Sequence, residues 1–254
     1  MIKVDGLVKA FGDNVVIKGV DAVFEPGKTN LIIGRSGSGK TVFLKSVLGL
    51  YEINEGEISF DDRSISGMNK KERNLLRQEL GMVFQGGALF DSLTVAENVM
   101  FPLHMFSSMS EEEKLERANF CLNRVNLVNA NDRFPAEISG GMQKRVAIAR
   151  AIAMKPKYLF CDEPNSGLDP ETSIVIDNLI REITQEYNIT TVVNTHDMNT
   201  VLEIGDNVLF LKDGLKAWQG SRDEILNSDN QDIVDYVFRS SLFKKVKDAL
   251  RKGN

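Results

Sequence analysis

The chain has 254 residues and a formal net charge of −5, with 42% apolar and 26% charged residues. This composition supports a buried core and an ordinary water-facing surface, in one large domain or two small ones. The acidic balance argues against non-specific nucleic-acid binding, which depends on the neutralisation of phosphates by Lys and Arg.

The sequence gives no sign of a targeting or membrane-spanning segment. Its first residues, MIKVDGLVKAFG, lack the long apolar run of a signal peptide, and no stretch of about twenty apolar residues occurs. The two cysteines, Cys121 and Cys161, lack metal-ligand spacing, so we interpret them as reduced thiols. We therefore expect a cytoplasmic protein that reaches a membrane only through a partner.

In chain order, the first sixty residues predict short strands, one of which leads into a Gly-rich loop. The third strand, at 29–34, runs directly into a Gly-rich loop and then into apolar residues at helical spacing. The pattern indicates strand, loop and helix in succession. Polar residues, Gly and Pro separate four β-like runs, at 2–4, 20–26, 29–34 and 56–60.

The middle and later parts of the chain predict helices followed by alternating strands and helices. Helices are expected at 94–106, 110–127 and 139–154, and the second begins at a capping box from Ser110 to Glu113. Buried apolar strands that alternate with helices predict a largely parallel sheet. The fold class is therefore α/β, with a helical subdomain inserted at about 88–155. The later elements are a strand at 158–164, a helix at 171–187, and strands at 190–197 and 207–214.

Two stretches carry residues suited to binding and cleaving phosphates. GRSGSGKT at 34–41 turns successive N–H groups toward phosphates, while Lys40 reaches the β and γ oxygens and the Thr41 hydroxyl binds Mg²⁺. YLFCDEP at 158–164 ends in Asp162, a further Mg²⁺ ligand, and in Glu163, a general base for an attacking water. The alternative is that Asp-Glu-Pro only ends a strand.

A second anion-binding device lies about a hundred residues after the first. Ser139, Gly140 and Gly141 open a basic helix, where hydroxyl and amide donors favour an anion. From these residues alone, the two devices serve either two ligands or one ligand from two sides.

The ordered set of motifs resembles the nucleotide-binding subunits of ABC (ATP-binding cassette) transporters over residues 1–225. The Walker A loop at 34–41 is followed by a Q-loop at 84–85 and a signature at 138–142. Walker B at 158–163, a D-loop at 166–169 and an H-loop at 195–196 complete it. The resemblance implies a P-loop ABC ATPase core, a small antiparallel β subdomain and the helical insert. It also implies a head-to-tail dimer, in which the signature faces ATP held by the other subunit.

This resemblance assigns roles to single residues. Glu163, His196 and Gln85 are the predicted catalytic residues, and Thr41, Gln85 and Asp162 the predicted Mg²⁺ ligands. Phe11 is expected to stack on adenine, with simple core packing as the alternative. Asp169 is expected to reach across the dimer, and His104 is interpreted as structural. The predicted nucleotide-binding set is Phe11, Gly34, Arg35, Ser36, Gly37, Ser38, Gly39, Lys40, Thr41, Val42, Gln85, Ser139, Gly140, Gly141, Asp162, Asp169 and His196.

Finer features separate subgroups of the family. FQGGALFDSLTVAENVMFPL at 84–103, the SGGM ending of the signature and DGLKAWQGS at 213–221 resemble the ATPases of Mla-type phospholipid transporters. That group implies permease subunits and MCE-domain lipid-binding subunits as partners, at the cytoplasmic face of the bacterial inner membrane. The family's usual residues differ at three positions, Ile138, Met142 and Asn165, none of which removes a phosphate donor or the catalytic carboxylate.

Two other functions fit the same core motifs. One is an importer ATPase for amino acids or another small solute. The other is an ABC ATPase without a permease, which the single cassette and the lack of long heptad repeats disfavour.

The last part of the chain, 226–254, is predicted to be a helical extension. Apolar residues from Ile233 to Leu250 form one helical stripe, and Lys and Arg crowd its final turns. The stripe either folds back on its own cassette or docks on the second subunit, and a membrane-surface helix is a third alternative. Its residues are Ile233, Val234, Val237, Phe238, Leu242, Val246 and Leu250, with Lys244, Lys245, Lys247, Arg251 and Lys252 beside them.

Overall fold

The computed structural model describes residues 1–237, except for the side chain of Leu226. Within that range the chain forms two β-sheets with helices around them, which confirms the α/β fold class. The first sheet is antiparallel and has four strands in the order β2-β1-β4-β5. These strands are β1 (Ile2–Phe11), β2 (Asn14–Phe24), β4 (Glu55–Phe60) and β5 (Arg63–Ser64).

The second sheet has six strands in the order β10-β9-β3-β8-β7-β6 and is largely parallel, as expected. All its strands except the edge strand β10 pair in parallel, and β10 pairs with β9 as an antiparallel hairpin. The strands are β3 (Thr29–Ile33), β6 (Leu80–Val83), β7 (Tyr158–Asp162), β8 (Thr190–Asn194), β9 (Asn207–Lys212) and β10 (Leu215–Gly220).

The helices that were expected in the middle of the chain occur where the sequence placed them. Ser110 and Glu113 form the expected capping box, and Ser139 caps the helix that carries the signature. The helices are α1 (Lys40–Val47), α2 (Lys70–Gln78), α3 (Val95–Phe106), α4 (Glu111–Arg124), α5 (Gly140–Ile152), α6 (Pro170–Glu186), α7 (Met198–Ile204), α8 (Arg222–Asn227) and α9 (Gln231–Val237).

The six-stranded sheet is buried on both faces because its side chains alternate between two cores. In β3, Leu31 and Ile33 contribute to one core while Ile32 contributes to the other. The first core contains the faces of α3, α4, α5 and α6, and the second lies under the antiparallel sheet and around α1. This burial fixes the register of the central strands, and therefore the positions of the loops at their carboxyl ends.

Those loops lie at one edge of the sheet. The carboxyl ends of parallel strands are the usual ligand site of such sheets. Here the phosphate loop follows β3, Glu163 follows β7, and Thr195 and His196 follow β8. Because β8 lies between β3 and β7, the three loops are neighbours in space.

The described part of the C-terminal extension packs on its own cassette. Ile225, Ile233 and Val237 are buried in the same core as α3 to α6. The rest of the predicted stripe, Phe238 to Leu250 with its basic residues, lies outside the described residues. Between residues 1 and 237, none of the helices has the length and hydropathy that a membrane crossing requires.

Candidate functional site

The phosphate loop is shaped by glycines that other residues could not replace. A Cβ on Gly34 would lie 2.3 Å from the Leu211 carbonyl oxygen, and one on Gly39 would lie 2.7 Å from Ile17 Cδ1. Gly39 also has a φ of +100°, and it immediately precedes the first residue of α1. The free N–H groups of the first turn of α1 therefore open into the loop, as a phosphate site requires.

The Lys40 side chain folds back over the loop. Its Nζ donates to the carbonyl oxygens of Gly34 at 2.9 Å and Arg35 at 3.3 Å. Burial lowers the pKa of Lys40, whereas the carboxylates of Glu163 and Asp162 act in the opposite direction. The ammonium therefore lies between the loop carbonyls and the acidic residues that follow β7.

Asn194 connects Thr41 and Asp162, two of the three predicted Mg²⁺ ligands, and was not itself predicted from the sequence. Its Nδ2 donates to Asp162 Oδ1 at 2.5 Å and to Thr41 Oγ1 at 3.4 Å, while its own Oδ1 has no protein partner. The side chain is fully buried, as is the similarly unpaired Ser38 hydroxyl oxygen close by in the loop. Buried polar atoms without protein partners mark places where a ligand or water completes the bonding.

Glu163 and His196 form the pair that the sequence predicted. His196 Nδ1 lies 2.7 Å from Glu163 Oε2, and the glutamate side chain is 14% exposed against 67% for the histidine. Glu163 also has a φ of +48°, in the left-handed region that non-glycine residues rarely adopt. Its backbone N–H donates to the Asn194 carbonyl at 2.9 Å, which holds this strained position in place. The carboxylate is thus fixed beside the phosphate loop with one side open.

The Q-loop is tied to the signature helix by two cations that sequence reasoning missed. Lys144 donates to the Gln85 carbonyl, and Arg150 donates to the carbonyls of Gly87 and Ala88, each at 2.7 Å. Both cations lie on α5. The Gln85 side chain donates to the Ser166 hydroxyl of the D-loop at 3.3 Å. We call the bonds from Lys144 and Arg150 to the Q-loop the α5 clamp. The only sequence signal for it was the basic character of α5.

The signature lies in a different groove from the phosphate loop. Ser139 is exposed and its Oγ accepts from the Met142 N–H at 3.3 Å, while Gly141 packs so closely on Thr172 that a Cβ would lie 2.8 Å from Thr172 Cγ2. The signature and the D-loop together line a groove of about 460 Å³. Asp169 caps α6 there, and its oxygens accept from the Thr172 N–H and hydroxyl, which holds the pKa of the Asp169 carboxyl below its usual range.

Phe11 lies on the surface. Its side chain is 45% exposed, so it is not a core residue. The ring packs edge-on against Tyr51 at 5.3 Å, and the Lys9 ammonium lies 4.7 Å from its centroid. The other histidine, His104, lies on the surface with its Nε2 3.0 Å from Glu111 Oε2, in agreement with a structural role.

Comparison with known proteins identifies the family of this chain. The ABC transporter family model matches residues 17–166. The methionine import ATP-binding protein MetN of Campylobacter jejuni is 36% identical over 256 residues, a match that covers 94% of this chain and 76% of MetN.

Solved structures show the same fold. The ATP-binding cassette MJ0796, determined as a dimer in a post-hydrolysis state with ADP and Pi, superposes with a TM-score of 0.79 at 33% identity, covering 87% of this chain and 99% of MJ0796. The cbiO1 protein of Clostridium perfringens, part of the ABC transporter complex cbiONQ, gives 0.83 at 29% identity over 98% of each chain. The chain therefore belongs to the ABC transporter family, as an ATP-binding subunit that hydrolyses ATP to drive transport.

Proposed function

We propose that the chain works as a head-to-tail homodimer that holds two ATP molecules in composite sites. The observation that carries this proposal is the separation of the exposed signature, in its groove with the D-loop, from the phosphate loop of the same chain. An exposed helix N-terminus with free donors is suited to a phosphate brought by another molecule. The similar cassette MJ0796 was determined as a dimer, which supports a dimer here.

Hydrolysis at each site is assigned to residues at the edge of the central sheet. Thr41, Asp162 and, after a turn of its side chain, Gln85 would hold Mg²⁺, and their hard oxygen atoms suit that ion. When bound, Mg²⁺ neutralises the charge that develops on the phosphates. Glu163 accepts the proton of the attacking water, and His196 holds the Glu163 carboxylate through the 2.7 Å contact. Phe11 offers its exposed ring to adenine.

The permease is proposed to dock on an exposed apolar surface next to the Q-loop. We define this phenylalanine patch as Phe90, Phe101, Met105 and Phe106, which are all exposed. The rings of Phe90 and Phe101 lie 4.5 Å apart, and the buried Asn98 fixes the Phe90 backbone through bonds to its N–H and carbonyl. Such a rigid apolar patch fits a short amphipathic helix from a membrane subunit. The subunit would then be peripheral on the cytoplasmic face of the membrane.

The cargo is proposed to be phospholipid, carried between bacterial membranes together with MCE-domain subunits. Residues 84–103 support this proposal, since the segment that resembles Mla-type ATPases contains the Q-loop and two residues of the phenylalanine patch, Phe90 and Phe101. Import of an amino acid is the second candidate, because MetN carries that name. Both candidates need the same ATPase cycle, so only the transport step separates them.

Reconstitution of the complete transporter tests the proposal. The tagged subunit is purified from its native membranes with its permease, and ATP-dependent transfer of a fluorescent phospholipid between liposomes is measured. Phospholipid transfer that requires ATP, and that stops in the Glu163→Gln variant, is the expected result. ATP-dependent methionine uptake without lipid transfer would replace the phospholipid proposal with the second candidate. An ATPase that copurifies with no integral-membrane protein would contradict both.

A further inference from the structure

The helix α9 lies directly against the phosphate loop. The Tyr236 ring packs on Phe210 of β9 with centroids 4.9 Å apart, and its hydroxyl donates to the Gly34 carbonyl oxygen at 3.1 Å. Ile233 and Val237 are buried on the same helix, and Asp232 pairs with Lys212 at 2.6 Å. The C-terminal segment is therefore docked at a position where it contacts the first residue of the nucleotide site.

The Gly34 carbonyl has two donors in this structure. Tyr236 supplies one, and Lys40 Nζ supplies the other at 2.9 Å. Gly34 itself is buried and packs so tightly against the Leu211 carbonyl that a Cβ would lie 2.3 Å from its oxygen. The Gly34 carbonyl therefore has little freedom to turn toward water, and it depends on these two donors.

Nucleotide binding changes the demand on Lys40. Its ammonium has three N–H donors. In this structure it donates to the carbonyls of Gly34 and Arg35. A P-loop lysine also reaches the β- and γ-phosphates when nucleotide is bound. With two phosphates to bind as well, the three donors are shared among more acceptors, so the lysine bonds to the loop carbonyls weaken.

We propose that Tyr236 is a positioning residue for the phosphate loop, whose hydroxyl keeps the Gly34 carbonyl paired while Lys40 turns to the nucleotide phosphates. Burial raises the pKa of Tyr236, so the hydroxyl keeps the proton that it donates. The contribution differs between the free and the bound state, and such a difference is required for any effect on affinity.

A regulatory consequence follows from the location of Tyr236. The residue reaches Gly34 only while Ile233 and Val237 hold α9 against the cassette. Any partner that pulls α9 away would withdraw the hydroxyl and weaken ATP binding without touching the nucleotide site. The C-terminal segment thereby gains control over nucleotide affinity.

Tyr236→Phe tests this proposal, because it keeps the ring on Phe210 and removes only the hydroxyl. We expect ATP and ADP to bind about 5- to 30-fold more weakly to the isolated subunit by calorimetric titration, as a buried acceptor loses its donor in the bound state. The melting temperature of the nucleotide-free protein should change little, since Lys40 still pairs with Gly34 there.

Tyr158→Phe is the matched control. It also removes a tyrosine hydroxyl bond, to Asp61 at 2.6 Å, but lies at the amino end of β7, away from the phosphate loop. It should lower the melting temperature and leave ATP affinity within twofold of wild type. If Tyr236→Phe behaves like this control, the hydroxyl is merely structural and the proposal is wrong.

A double variant isolates the role of Lys40. With the fluorescent analogue TNP-ATP, Tyr236→Phe should weaken binding less than twofold in a Lys40→Ala background, since no lysine bond to the Gly34 carbonyl is then weakened on binding. An undiminished effect in that background would show that Tyr236 does not act through Lys40. Neither outcome depends on the transported cargo, so the proposal can fail while the proposed transport function stands.

Discussion

The two phosphate-binding regions of the molecule differ in how completely one chain builds them. Around the phosphate loop, the side chains of Lys40, Asp162 and Asn194 are buried; Lys40 donates to the Gly34 carbonyl, and Asn194 donates to Asp162. Around the signature, Ser139 and Gly140 are exposed, and the Ser139 and Asp169 side chains bond to the first turns of their own helices. The fold preorganises the first region. In the second region the donors are in place, but the described part of the same chain does not enclose a ligand there.

The difference shows which chemistry one chain can finish alone. A buried network holds charged groups at fixed positions in a low dielectric, which strengthens their action on a phosphate. An exposed helix N-terminus contributes only when a second surface excludes water from it. One chain is therefore expected to bind ATP well and to hydrolyse it poorly until a second chain covers the nucleotide.

The largest effect is expected at Glu163, on the preorganised side. Glu163→Gln should reduce ATP turnover by about 10²–10⁴-fold, because the variant cannot accept a proton from water. ATP affinity should stay close to wild type, since the phosphates are held by the loop. Turnover is measured by phosphate release and affinity by calorimetric titration. Hydrolysis near the wild-type rate would remove Glu163 from the role of general base.

Ser139→Arg tests the exposed signature region. The large cation should obstruct the groove and lower dimer ATPase activity at least tenfold, while the monomer binds ATP with wild-type affinity. Lys40→Ala provides the contrast, because it should lose ATP affinity in the monomer itself. An equal loss of monomer affinity in both variants would place the two motifs in one chain's site and contradict the composite arrangement.

Asn194 sharpens the comparison at the predicted Mg²⁺ ligands. Asn194→Leu keeps much of the volume but removes the amide that orients Asp162 and Thr41. The Mg²⁺-dependent gain in ATP affinity should fall about tenfold, as for other groups that orient metal ligands. Affinity measured in EDTA should stay within twofold of wild type. Ser46→Ala is the control, since Ser46 is also buried with an unpaired oxygen but lies later in α1; an equal loss there would indicate a packing effect.

The smallest effect concerns the buried Asp177 carboxyl, which is hydrogen-bonded behind the D-loop. Asn165 and Thr200 donate to the Asp177 carboxyl at 2.7 and 2.8 Å, and burial raises the pKa of Asp177 to about 6 despite these bonds, with Asp197 and Glu203 adding to the rise. The folded state thus binds a proton that the unfolded state has released between pH 4 and 6. The contribution of Asp177 to the free energy of unfolding is therefore greatest below pH 4 and falls as pH rises to about 6.

Urea unfolding of wild type and Asp177→Asn at pH 5 and pH 7 measures this change. The advantage of wild type over the variant should fall by about 1 kcal/mol between these two values, for the roughly one pKa unit that lies between pH 5 and the folded pKa. A constant difference between the two proteins would show that Asp177 does not titrate in this range.

Most of the sheet and the helix positions could be predicted because apolar periodicity and capping residues are local signals. The helix α2 was missed since its residues are mostly polar and it buries only Leu76. The strand β6 was missed because it has four residues and contains Gly81, whose Cβ would lie 2.5 Å from the Ala151 carbonyl oxygen of α5. Such a close approach of two distant segments leaves no local pattern.

The candidate site was partly predictable for the same reason. Its motif residues are read directly from the sequence, and the structure brings Lys40, Asp162, Glu163 and His196 to one edge of the sheet. Asn194, Lys144 and Tyr236 could not be assigned, because each acts on a residue more than thirty positions away. Their roles depend on the fold and not on their neighbours in sequence.

The clamp from α5 to the Q-loop has a mechanical consequence. Lys144 and Arg150 bond to the carbonyls of residues 85, 87 and 88, so this loop and the helix are expected to move as one rigid body. A push on Phe90, two residues beyond the clamped segment, is then delivered to the Gln85 end and to the signature end at the same time. The force need not pass through the central sheet, so we expect the movement to be transmitted through the Q-loop and α5.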